Sequence, residues 1–147
     1  MDIFSLKNKI ALITGGAGLY GRQLVRALAM AGARVYMASR NTEKNQAVAN
    51  ELNNEGYDVR VAYLDLGDEN SINELRDYIY REEGKLDILV NNSVLRTMTG
   101  YHDTAENFSK SMEINATGLF LISRAFGDEM SKAGSGSIIN IGSYMGL

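Results

Sequence analysis

The sequence predicts an α/β fold: a doubly wound parallel sheet, Rossmann-like, in three layers (α/β/α). Three observations carry this. Apolar strand-like runs alternate with amphipathic helical stretches from end to end. The strand-like runs are continuous in β-branched and aliphatic residues, which suits strands covered on both faces. A glycine-rich turn at 14–21, Thr-Gly-Gly-Ala-Gly-Leu-Tyr-Gly, joins the first strand-like run to the first helical one.

Each element has its own warrant. Ile10, Ala11, Leu12 and Ile13 predict a strand over 9–14, and Leu24, Leu28 and Ala31 recur at helical spacing over 20–31. Val35 marks a strand at 33–39, and Val48 and Leu52 a helix at 42–54. Val59 and Val61 mark a strand at 58–64. Asp68 is a suitable N-cap for a helix at 69–82. Ile88, Leu89 and Val90 predict a strand over 86–91. The long stretch 105–132 is helical, with a weak point at 109–111 where two helices could meet. Ile138 and Ile139 predict a last strand at 136–142. Strand–helix alternation implies right-handed crossovers. No repeat, linker or low-complexity segment divides the chain, so one domain is expected over 1–147.

The bulk numbers exclude several function classes. A chain of 147 residues with 45% hydrophobic and 22% charged residues suits one globular domain with a real core. A net charge of −3 gives no electrostatic reason to expect nucleic acid or an anionic membrane. The absence of cysteine excludes a disulfide framework, a thiolate metal site and a cysteine nucleophile, and no metal is expected. There is no signal pattern and no apolar run of membrane-spanning length, so a cytoplasmic location is expected.

In such sheets ligands bind beyond the carboxyl ends of the strands. The candidate residues fall there. In the glycine turn, Gly15 permits the tight turn, Gly18 lets backbone approach a pyrophosphate, and Gly21 lets the helix pack closely. Phosphates would then sit on free amides at the helix N-terminus, around Ala17, Leu19 and Tyr20. Ser39 and Arg40 end the second strand. Residues 35–41 hold no carboxylate to accept from a ribose 2′-hydroxyl, whereas Arg40 could pair with a 2′-phosphate. The reading is therefore NADP, with NAD as the alternative. Asp65 ends the third strand and, with Leu66, suits an adenine contact or a helix cap. Asn91 and Ser93 end the fourth strand, either as a turn or on the cofactor side of a cleft. Asn115 lies in an apolar helical stretch and must find partners. Ser143 ends the fifth. The single histidine, His102, lies in a polar loop away from Ser143, so a hydrolase triad is not expected.

Taken together these residues resemble the short-chain dehydrogenase/reductase family, in its single-domain branch. The likeness runs in order through Thr14, Gly15 and Gly21, then Asp65-Leu66, Asn91-Asn92, Asn115 with Gly118, and Ile138 to Ser143. The resemblance implies strand order 3-2-1-4-5 for the part present. It implies hydride transfer between a nicotinamide and a small carbonyl or alcohol substrate. Ser143 would hydrogen-bond the substrate oxygen, Asn115 would help hold a proton-relay water, and Asn91 would line the cofactor site. A homodimer or homotetramer is implied, with 105–132 as a dimer surface.

Three departures from the pattern stand out. Leu19 replaces the middle glycine of the single-domain branch. The 15, 18, 21 spacing resembles instead the extended branch, which acts on nucleotide sugars. Ser93-Val94 replaces the Ala-Gly that usually follows the two asparagines. The family's Tyr-x-x-x-Lys pair should lie a dozen or so residues past Ser143, and the sequence here runs to Leu147. Tyr144, adjacent to Ser143, would point the other way in an extended backbone. The expectation is the N-terminal part of a longer enzyme, lacking the final strands and poorly active alone. The alternatives are an epimerase or dehydratase of nucleotide sugars, or a non-catalytic dinucleotide-binding module.

Overall fold

The computed structural model describes residues 3–142. Five strands, β1 (Ile10–Thr14), β2 (Arg34–Ser39), β3 (Val59–Tyr63), β4 (Ile88–Asn91) and β5 (Ser137–Asn140), form one sheet in the order β3-β2-β1-β4-β5. Every pairing is parallel. The helices are α1 (Leu19–Met30), α2 (Thr42–Asn54), α3 (Glu69–Glu83), α4 (Ala105–Met112) and α5 (Leu119–Ala133), and a π-helical segment, Glu113–Gly118, joins α4 to α5. The doubly wound architecture and the strand order are those the sequence predicts.

Alternation along the strands divides the core in two. On one face Leu12, Tyr36 and Leu89 pack against Ile72 and Ile79 of α3 and Phe126 of α5. On the other, Ile13, Val35 and Met37 pack against Val25 of α1 and Leu52 of α2. Each fully buried side chain of this size contributes about 1.5–3 kcal/mol. These two layers hold the strand ends at fixed positions.

Caps start most helices. Asn41 accepts from the Lys44 amide to open α2, Asp68 from Asn70 to open α3, and Thr104 from Asn107 to open α4. α1 begins at Gly18 with no side-chain cap. At the amino ends of the strands, buried Glu83 accepts from the Tyr36 hydroxyl at 2.6 Å and from Arg34 at 2.7 Å, and pairs with Arg60 at 3.2 Å.

Three local expectations need correction. β3 stops at Tyr63, so Asp65 lies in the following turn rather than ending the strand. The helical stretch does not break at 109–111. Its irregularity is the π-turn after Met112, where Gly118 passes so close to the β3–α3 loop that a Cβ would lie 2.5 Å from the Leu66 carbonyl oxygen. β5 is not covered on both faces. All four of its residues are exposed, Ile138 at 37% and Ile139 at 44%. It is an edge strand, and α1 and α2 cover the sheet over β1, β2 and their neighbours but do not reach it.

Candidate functional site

The site starts at the turn between β1 and α1. Gly15 has φ +68°, a conformation that favours glycine. A Cβ there would meet Ser93 Oγ at 2.9 Å. A Cβ on Gly21 would lie 2.3 Å from the Gly15 carbonyl oxygen and 2.8 Å from Asn92 Nδ2, so the start of α1 packs directly on the turn. Gly18 differs. Its nearest neighbour would be the Gly15 oxygen at 3.5 Å, an ordinary contact. The backbone is therefore locked from below by Gly15 and Gly21 and open at Gly18. Leu19, in the family's glycine position, is 97% exposed and stands clear of the turn.

Two residues to which the sequence assigned no role brace this turn. Thr14 Oγ1 accepts from the amides of Asn92 and Ser93, each at 3.0 Å. Asn92 Nδ2 donates to the carbonyls of Thr14 at 3.2 Å and Gly15 at 3.1 Å. The available signal was the predicted adjacency of β1 and β4, which sets Thr14 beside the end of β4.

A crevice follows the carboxyl ends of the strands in three connected compartments, with Ser93 and Val94 lining all three. The first holds Ser39, Arg40, Asp65 and Leu66. Ser39 Oγ donates to the Asn41 carbonyl and accepts from Asn45 Nδ2 at 2.9 Å. Asp65 Oδ1 accepts from the Gly67 amide at 2.9 Å, and Asp68 caps α3, so Asp65 is not the cap. Arg40 is exposed and has no ion-pair partner among the described residues. It belongs to a small group: among the described residues seven of the nine arginines pair with a carboxylate, and the two that do not are Arg40 and Arg96.

The second compartment is lined by Asn91, Asn115, Leu66 and Ile141. Asn91 Nδ2 donates to Ser123 Oγ at 3.1 Å and Asn140 Oδ1 at 2.9 Å, while its own Oδ1 is buried without a donor. Asn115 grips the backbone of Leu95 at both ends. It accepts from the amide at 2.7 Å, donates to the carbonyl at 2.8 Å and also donates to Ser111 Oγ at 3.1 Å. Both ends of that side chain are thus engaged within the protein. Ser143 lies outside the described residues.

The third compartment, about 810 Å³, lies over the glycine turn. Gly15, Gly18, Leu19, Tyr20 and Gly21 line it, together with Ile141 and Gly142. Ala17 is partly buried in the turn.

Known proteins place this arrangement. The sequence model of the family described as short chain dehydrogenase matches residues 9–147. The chain belongs to the short-chain dehydrogenase family. Among its relatives, a cyclopentanol dehydrogenase of Comamonas testosteroni is 35% identical over 97% of this chain and 57% of its own length. A D-threitol dehydrogenase of Mycolicibacterium smegmatis is 33% identical over 95% of this chain and 54% of its own. The chain therefore spans little more than half the length of those relatives. The crystal structure of a gluconate 5-dehydrogenase from Burkholderia cenocepacia, in complex with NADP and tartrate, superposes with a TM-score of 0.87 at 33% identity. That match covers 97% of this chain and 56% of the other. No helix among the described residues is long and apolar enough to cross a membrane.

Proposed function

We propose that residues 1–147 form the dinucleotide-binding domain of an NADP(H)-preferring oxidoreductase acting on a carbonyl or alcohol carbon. The observation that carries this is the glycine turn, closed to side chains at Gly15 and Gly21 and open at Gly18, beneath an uncapped helix. The residues present fit the cofactor. The amides of Leu19, Tyr20 and Gly21 open α1 without a side-chain partner and suit diphosphate oxygens, which the helix dipole also favours. Arg40 suits the 2′-phosphate, with Ser39 beside it. Asp65 and Leu66 suit the adenine edge, and Asn91 and Ser93 the nicotinamide side. When bound, the nicotinamide supplies or accepts the hydride.

The relatives named for cyclopentanol and threitol support an alcohol or carbonyl substrate, and the NADP in the neighbouring structure supports the cofactor. Ser143 is proposed to hydrogen-bond the substrate oxygen. Asn115 is proposed as a positioning residue, because its side chain is committed to Leu95 and Ser111. Exposed Phe108, Met112 and Phe120 support self-association through the α4–α5 stretch. The 147 residues contain no Tyr-x-x-x-Lys.

Titration with NADPH and NADH, followed by nucleotide fluorescence, tests the reading. NADPH should bind at least about tenfold more tightly. Equal or tighter NADH binding overturns the role of Arg40, and no binding of either overturns the function.

A further inference from the structure

Arg96 shares with Arg40 the lack of a carboxylate partner among the described residues, and it lines the compartment over the glycine turn rather than the one that holds Arg40. Among the described residues it is the only charged one lining the compartment over the glycine turn. Among the described residues its side chain makes no ion pair or hydrogen bond, yet its backbone is held on both sides. Leu95 is clamped by Asn115 at 2.7 and 2.8 Å, and Thr97 Oγ1 donates to the Asn107 carbonyl at 2.8 Å. The wall carrying Arg96 is thus fixed to α4 and the π-turn while the guanidinium is left unpaired. A cleft lined by one sign of charge focuses its field on a counter-ion, and a guanidinium fork matches a carboxylate.

The geometry points to Arg96 as a specificity-determining residue that selects substrates carrying a carboxylate. This rests on the dinucleotide reading. With the adenosine end beside Arg40 and Asp65 and the diphosphate on the amides of α1, the reacting end falls toward Asn91 and Ile141, and Ile141 also lines the compartment that holds Arg96. The alternative anion is the cofactor's own diphosphate.

Calorimetry on the NADPH-saturated chain separates these. The probes are two pairs that share a skeleton and differ in carboxylates: tartrate against threitol, and 2,3-dihydroxybenzoate against catechol. At least one acid should bind tenfold or more tighter than its neutral partner. Arg96→Gln should erase that preference while leaving NADPH affinity within twofold, and Arg96→Lys should restore part of it. No preference in either pair, or a preference that survives Arg96→Gln, overturns the inference alone. An equal loss of NADPH affinity in Arg96→Gln assigns the cation to the diphosphate and also overturns it. Failure of the unaltered chain to bind NADPH removes the proposed function, and this inference with it.

Discussion

The side-chain amide of Asn92 reaches across 77 residues of sequence to the carbonyl of Gly15 at 3.1 Å. The same nitrogen serves the Thr14 carbonyl, so one group at the end of β4 holds the exit of β1 in its turn. Asn92→Ala leaves both part-buried carbonyls short of a donor. Each such loss costs about 1–3 kcal/mol. The variant should unfold at lower urea concentration and bind NADPH about tenfold more weakly, measured by denaturation and fluorescence titration.

Gly21 and Gly18 should respond differently to the same change. Gly21→Ala sets a methyl 2.3 Å from a backbone oxygen, and relieving that overlap costs about 1–3 kcal/mol while displacing α1. Gly18→Ala has room and a permitted backbone, with φ −69°. It should keep the melting temperature of the unaltered chain but lose NADPH affinity. A Gly18→Ala protein that binds NADPH normally would show that no diphosphate approaches there.

Arg40→Ser should weaken NADPH by about 10- to 100-fold, the range of a charge-assisted hydrogen bond, and leave NADH unchanged. Parallel titrations of both nucleotides read the outcome. An equal loss for both would make Arg40 a general anchor.

Glu83 links stability to pH. Burial pushes its carboxyl up, but hydrogen bonds from Tyr36 and Arg34 outweigh that and hold it below the usual carboxylate range. Burial and the bond to Glu83 push the Tyr36 hydroxyl up to about 12. A carboxylate with a depressed folded value stabilises fully above its unfolded pKa, about 4.3, and loses that contribution as pH falls through the folded value. Glu83→Gln should therefore cost about 1–3 kcal/mol at neutral pH, and the gap from the unaltered chain should close below about pH 4. Urea unfolding at several pH values measures this, and a gap that widened in acid would contradict it.

What the sequence determined by itself is local or periodic. The helical period and the continuous apolar runs placed the strands and most helix bounds to within a few residues, because burial of a helix face or of a whole strand imprints itself on the chain, whereas the irregularity inside 105–132 fell at a π-turn that the period did not show. The glycine turn was legible because positive φ and close packing admit few other residues. The absence of a carboxylate after β2 was equally plain. What only the tertiary structure decided depends on residues distant in sequence. Asn92 as a brace is set by the pairing of β1 with β4. Asn115 as a clamp is set by where the β4–α4 loop crosses the π-turn, 20 residues from Leu95. The unpaired state of Arg40 and Arg96 emerges only when the other arginines find their carboxylates. Side-chain hydrogen bonds of long span leave no periodic trace in a single sequence, since any polar residue can satisfy its needs with water until the fold supplies a partner.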